Sequence, residues 1–246
     1  MMSVDSHFLP LFLFLSLLFV SQGVVPPSQT FKYVINGEFG ENITEYDASY
    51  RLIDIPNFET GRLPFQLFFY NTVGSKGCLC LWFTNGFPRN ESQLRWVWDA
   101  NRANPVHENG TLTFAADGNL VLADVNGRIA WQTGTSNKGV ADIELLRNGN
   151  LVLKNKQGNF VWQSFDHPTD TLLVGSALTR GGRNKLVSRV SGVDGSDEPY
   201  NLVLERDRLA MYLKSKILRS HCYITLPNFS LNPVVRLVVW WSTISP

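Results

Sequence analysis

Ser164, Asp166 and His167 bring the three side-chain types of a hydrolytic triad into one short stretch. Nucleophilic catalysis needs a base within hydrogen-bond reach of the hydroxyl and a third group orienting that base. Closeness in sequence does not supply that geometry, and the chain has no Gly-x-Ser-x-Gly elbow. Pro168 sits in the same run, and Thr169, Asp170 and Thr171 are good partners for exposed backbone amides. The expectation is therefore a Pro-containing structural turn. Glycoside hydrolysis would need two positioned carboxylates. The chain has 21 acidic residues, but none falls in a recognisable signature. No catalytic residue, no cofactor and no enzyme are expected.

Three cysteines, Cys78, Cys80 and Cys222, could bind metal or form disulfides. Cys78 and Cys80 lie two apart, which on a strand puts them on one face. Burial as small hydrophobes is the expectation. No Cys-x-x-Cys pair and no Cys/His cluster points to a metal site. Asn42, Asn90, Asn109 and Asn228 each head an Asn-x-Ser/Thr acceptor without an intervening Pro, so all four are N-glycosylation candidates.

Those acceptors matter only in the secretory pathway, and the N-terminus points there. Residues 8–20 form an apolar run interrupted by Pro10 and Ser16, followed by Ser21-Gln22-Gly23. The run is short for a bilayer span and reads as a signal peptide over residues 1–23, although no Lys or Arg precedes it. No membrane span is expected after cleavage. Net charge is +1 with 17% charged residues, which gives no electrostatic basis for nucleic-acid binding.

The elements that hold these residues are legible from a repeat. Gly118-Asn119-Leu120-Val121-Leu122 recurs as Gly149-Asn150-Leu151-Val152-Leu153, and Trp131-Gln132 recurs as Trp162-Gln163. Both offsets are 31 residues, the size of one supersecondary unit that must stack on others to bury its apolar face. Trp98 stands 33 residues before Trp131 as a weaker third copy. Strands are predicted at 63–70, 79–83, 95–98, 111–114, 119–123 and 128–132, with a further pair starting at 200 and ending near 212. Asn-Gly and Asp-Gly turns punctuate them at roughly ten-residue spacing, as in an all-β domain. No helix of three turns is predicted. Trp98, Trp131 and Trp162 are expected to meet at a central axis, one from each of three sheets.

Arg95-Trp96-Val97-Trp98-Asp99-Ala100-Asn101-Arg102, Asp117-Gly118-Asn119-Leu120-Val121-Leu122, and the run from Trp162-Gln163-Ser164-Phe165 through Leu172-Leu173 carry a resemblance. They resemble bulb-type mannose-binding lectin domains, and more closely plant epidermis-specific secreted glycoproteins and S-locus-glycoprotein-like extracellular regions. The resemblance covers about residues 31–212. It implies an all-β fold, a β-prism of three pseudo-symmetric four-stranded sheets, with secretion to the cell wall or apoplast. Implied partners are glycans or cell-wall glycoproteins. The expected organisation is a signal peptide (1–23), an N-terminal segment (24–50) opening on a flexible stretch at 24–30, and a bulb-type lectin domain (51–175). A β extension (176–215) and a divergent tail (216–246), truncated or disordered, follow.

The resemblance also implies a sugar site of the form Gln-x-Asp-x-Asn-x-Val-x-Tyr. Side chains two apart on a strand share one face, so amides and carboxylates meet sugar hydroxyls while valine meets the ring carbons. Here one copy supplies Asp117, Asn119 and Val121 but has Ala115 and Ala123 at the ends. The other supplies Asn148, Asn150 and Val152, with Leu146 and Lys154 at the ends. A poor third copy lies around Asn201 and Val203. With half the polar contacts missing, each worth about 0.5–1.5 kcal/mol, mannose binding is expected to be weak or lost. Turn chemistry alone also accounts for these residues. A protein-interaction role in the wall is the alternative.

Overall fold

The computed structural model describes residues 25–36, 48–53, 65–72, 81–90, 93–179, 182–189, 197–213 and 221–226. Among them are fifteen strands, one 3₁₀ turn at Ser164–Asp166 and no α-helix, as the all-β reading requires. The strands are β1 (Phe31–Val34), β2 (Ala48–Leu52), β3 (Gln66–Thr72), β4 (Leu81–Asn90) and β5 (Gln93–Asp99). Then come β6 (Thr111–Phe114), β7 (Leu120–Ala123), β8 (Ile129–Gln132), β9 (Val140–Leu145), β10 (Leu151–Asn155) and β11 (Phe160–Gln163). The last four are β12 (Lys185–Arg189), β13 (Asp197–Leu204), β14 (Leu209–Leu213) and β15 (His221–Leu226).

They form four antiparallel sheets, ordered β2-β3-β4-β5, β1-β6-β7-β8, β9-β10-β11 and β12-β13-β14-β15. The first three share one core. Alternation explains why: on β6, Leu112 and Phe114 point inward while Thr111 and Thr113 remain partly exposed. Leu120 and Leu122 on β7, Ile143 and Leu145 on β9, and Leu151 and Leu153 on β10 do the same. At the centre the indoles of Trp98, Trp131 and Trp162 form a triangle. Centroid separations are 5.7, 5.9 and 5.7 Å and every pair is edge-to-face, at 71°, 68° and 72°. Positive ring edges then meet negative faces three times over.

Two positions show why the repeat keeps its glycine. Gly118 and Gly149 have φ of 81° and 85°, a region that side chains disfavour. A Cβ would also fall 2.6 Å from Val140 Cβ in the first case and 2.7 Å from Leu173 Cδ1 in the second.

The expectation of a flexible stretch at 24–30 is corrected. Val25 is fully buried, and its N–H donates to the Ala116 carbonyl at 3.0 Å. The chain then runs into β1, which pairs along β6 and packs Phe31 and Tyr33 against the core. The free edge of β6 and the two inward rings are the physical reason. One of the three expected four-stranded prism sheets, β9-β10-β11, has three strands among the described residues. Asn201 and Val203, read as a third repeat, lie instead on β13 in the fourth sheet. That sheet has its own small core of Leu172, Leu178, Leu186, Leu204 and Leu209. Its last strand, β15, falls in the segment expected to diverge. The predicted strand at 79–83 extends to Asn90 across Pro88, where a register irregularity accommodates the missing N–H.

Candidate functional site

Asn119 and Asn150 occupy equivalent positions just before β7 and β10, and both are buried. Asn119 Nδ2 donates to Gln132 Oε1 at 2.9 Å, and Asn150 Nδ2 donates to Gln163 Oε1 at 2.8 Å. Asn119 Oδ1 accepts from Thr133 Oγ1 (3.0 Å) and the Thr135 N–H (3.1 Å). Asn150 Oδ1 accepts from Ser164 Oγ and the Phe165 N–H, both at 3.2 Å. Thr133 Oγ1 and Ser164 Oγ in turn accept from the Leu120 and Leu151 N–H groups, at 3.1 and 3.0 Å. Each asparagine thus latches the start of one strand to the end of the next strand of its hairpin, β7 to β8 and β10 to β11. Buried amides with unmade hydrogen bonds would be costly, and here they are made within the fold.

The residues two before each latch are turn formers. Asp117 Oδ1 accepts from the Asn119 N–H at 3.1 Å, and Asn148 Oδ1 accepts from the Asn150 N–H at 3.2 Å. Asp117 Oδ2 also accepts from Ser136 Oγ at 2.6 Å. Sequence reasoning noticed the Trp-Gln repeat but missed what its glutamine does. The signal was the constant separation of 13 residues between each Asn and its Gln.

Outside the latches the two repeats diverge. Val121 is partly exposed beside Thr113 on β6 and Gln132 on β8. Val152 is fully buried between Glu144 on β9 and Gln163 on β11. Where the family pattern has tyrosine, the first repeat has Ala123 and the second has Lys154. Lys154 Nζ pairs with Asp142 at 3.1 Å and with Glu144. The Glu144 hydrogen bond raises the Lys154 pKa further above its usual range, against a smaller opposing effect of burial. Gln163 Nε2 donates to Asp166 Oδ1 at 2.7 Å, and Arg183 pairs with the same carboxylate at 2.5 Å.

The Ser164/Asp166/His167 group is not a triad. Ser164 Oγ is committed to the Asn150 latch, Asp166 to Gln163 and Arg183. The His167 ring stacks on Trp162 at 5.4 Å, and its carbonyl accepts from Trp98 Nε1 at 2.9 Å.

At the third tryptophan the polar partner is Asp99 rather than glutamine. Asp99 Oδ2 accepts from Arg102 Nε (3.1 Å) and pairs with Arg189 (3.2 Å). Asp170 Oδ2 pairs with Arg102 and Arg189, each at 2.5 Å. Arg102 also donates to the Val187 carbonyl at 3.0 Å. This buried network ties the tryptophan core to β12. Burial alone would raise the Asp170 carboxyl, but the Arg189 and Arg102 guanidiniums outweigh it and hold the pKa at about 2. Asp170 was expected to serve backbone amides; two guanidiniums and the neighbouring threonine hydroxyls take it instead.

A tryptophan triangle thus sits inside repeated sheets whose hairpins are latched by Asn and Gln at fixed spacing. Residues 95–191 match the D-mannose binding lectin family. The chain carries a bulb-type lectin domain. It is 59% identical over 189 residues to EP1-like glycoprotein 2 of Arabidopsis thaliana, covering 77% of this chain and 41% of that one. It is 52% identical over 214 residues to the epidermis-specific secreted glycoprotein EP1 of Daucus carota, covering 85% of this chain and 53% of that one. A G-type lectin S-receptor-like serine/threonine-protein kinase of Arabidopsis thaliana is 39% identical over 92 residues, 37% of this chain and 11% of the kinase. The chain spans about half the length, or less, of these relatives.

Residues 1–23, Asn42, Asn228, Cys78 and Cys80 lie outside the described residues, as do the side chains of Asn90 and Cys222. Among the described residues no helix is long and apolar enough to cross a membrane.

Proposed function

We propose that the chain is a secreted cell-wall glycoprotein in which a bulb-type lectin domain has become mainly a scaffold, with mannose-type glycan binding weak or lost. One observation carries this reading: the carboxamides of both Asn119 and Asn150 are buried and spent on internal hydrogen bonds. A sugar hydroxyl would have to displace a latch to reach them, leaving buried partners unpaired at about 1–3 kcal/mol each. Monosaccharide binding near millimolar amounts to only about 4 kcal/mol. The missing Gln and Tyr positions, now Ala115, Ala123, Leu146 and Lys154, remove the alternatives. The similarity to a carrot protein named as a secreted glycoprotein supports the extracellular location.

The test is a glycan array and calorimetry on the secreted, glycosylated chain. No mannose-type ligand binding at micromolar strength is expected. Micromolar binding abolished by Asp117→Ala, with unchanged thermal stability, would falsify the scaffold reading. The ion-paired second face favours the alternative of a protein partner. A pull-down from wall extract that survives competing mannose supports it.

A further inference from the structure

We propose that Asn109 carries an N-linked glycan that covers the outer face of the first repeat. The inference rests on the secretory reading above. Among the four acceptors, Asn109 is the one whose side chain is described. It is exposed, in a tight turn, with φ of 64°. Its N–H donates to the Ile35 carbonyl at 2.8 Å, so the fold holds the residue just before β6. Thr111, the acceptor's hydroxyl residue, opens β6 directly opposite Ala123. A Cβ on Gly110 would lie 2.9 Å from the Ala123 carbonyl oxygen. The attachment point therefore abuts the end of β7 where the family pattern has tyrosine.

That face is bare. Lys32 and Val34 on β1, Thr111 and Thr113 on β6, and Val121 and Ala123 on β7 lie across it in paired register. Val34 is an exposed large hydrophobic residue. The second repeat solves the same problem differently. Shifting Thr111, Thr113 and Ala123 by 31 residues gives Asp142, Glu144 and Lys154, which cover their own face with ion pairs. The same shift turns Asn109-Gly110-Thr111 into Val140-Ala141-Asp142, which is no acceptor. The glycan belongs to the repeat that lacks the charges, and a bulky hydrated oligosaccharide suits an exposed face of hydroxyls and small apolar groups.

The chemistry is a transfer from a lipid diphosphate-linked oligosaccharide. Asn109 Nδ2 bonds to the anomeric carbon, the C–O bond to the diphosphate breaks, the lipid diphosphate leaves and the amide loses one proton.

Residues 24–246 are produced behind an established secretion leader, with the native 1–23 leader in parallel. Failure of the native leader alone sinks the secretory reading and leaves Asn109 to the other arm. Peptide mapping after treatment with a glycan-releasing amidase, which leaves Asp at occupied sites, should show conversion at Asn109. An unmodified Asn109 in secreted protein refutes the site. Lys32 then reports the covering. Its reaction with an amine-directed reagent should be several-fold slower in the glycosylated chain than in the amidase-treated chain, Asn109→Gly or Thr111→Val. Glycine tolerates the positive φ and valine suits the strand, so both variants keep the fold. Equal Lys32 rates with Asn109 occupied refute the covering.

Discussion

The two repeats share an inside and differ outside. Inward they are close to superimposable in chemistry, Leu112 and Phe114 against Ile143 and Leu145 and Trp131 against Trp162, and the buried Asn119 and Asn150 latch alike onto the exposed Gln132 and the half-buried Gln163. Outward, hydroxyls and alanine face solvent in one, while an Asp-Lys-Glu cluster closes the other. The difference teaches where selection on sequence can act. The inner set must satisfy a shared core and buried amides at once, so it tolerates little. Thr111, Thr113 and Ala123 take part in neither, so their counterparts Asp142, Glu144 and Lys154 can differ in class while the prism is kept.

The comparison breaks most directly at the axis. Trp131→Ala and Trp162→Ala should each cost about 3–5 kcal/mol in denaturant unfolding, by lost burial and a cavity among the remaining rings. Similar losses are expected because the triangle is nearly regular. A Trp131→Ala variant losing less than about 1 kcal/mol, the ordinary range for a non-core site, would mean that the repeats do not share one centre.

Next come the latches. Asn119→Ala and Asn150→Ala should each cost about 2–3 kcal/mol, because a glutamine, a hydroxyl and a backbone amide lose a partner together. Both values should be close. If Asn119→Ala proves neutral in thermal unfolding while Asn150→Ala does not, the open repeat keeps its asparagine for a ligand and the equivalence of the inner sets fails.

Acid acts on the Asp170 junction and on one turn of the first repeat together, and a substitution separates the two. Asp170 has a folded pKa of about 2, below an unfolded value near 3.8. A lowered carboxyl pKa stabilises the fold above the unfolded value and ceases to as pH falls through the folded one. About 2 kcal/mol should therefore disappear between roughly pH 4 and pH 2. Asp124, in the β7–β8 turn, titrates in the same window. Burial raises its pKa, but hydrogen bonds from His107, Val125 and Arg128 outweigh that and bring it to about 2. Asp170→Asn should flatten the acid slope of unfolding by about half and leave the Asp124 share. An unaltered slope would remove Asp170 from the charge network.

How much of this could be read from the chain depends on which residues carry a period. The hairpins announced themselves through Asp117-Gly118 and Asn126-Gly127, and the tryptophans through their offset. β9 was missed, although Asp142-Ile143-Glu144-Leu145 repeats the alternation of Thr111-Leu112-Thr113-Phe114 at the same offset. Its outer residues had changed class, and identity searching sees class before pattern. β1 was illegible for another reason. Its partner strand lies some eighty residues away and nothing local in Phe31-Lys32-Tyr33-Val34 names β6. The Asp99-Arg102-Asp170-Arg189 network is likewise assembled from three distant segments. The repeat places Asn119 and Asn150 at equivalent positions, but pattern cannot distinguish an amide facing a ligand from one facing its own glutamine.

The smallest effect tests whether the outer faces are interchangeable. Lys154→Met should cost about 0.2–1 kcal/mol, since Asp142 and Glu144 are substantially exposed. Added salt should shrink that cost, because the pairs are screened. Ala123→Lys places a lysine at the matching position of the first repeat, opposite Thr111 instead of Asp142. It should change stability by less than about 0.5 kcal/mol. Adding Thr111→Asp and Thr113→Glu should then restore a salt-sensitive gain of the size lost in Lys154→Met. A triple variant with no such gain would show that the backbone of β6 and β7 is not posed like that of β9 and β10, and the equivalence would hold for the core alone. A gain would show that one prism face can be converted into another by three outward side chains, with the latch and the tryptophan untouched.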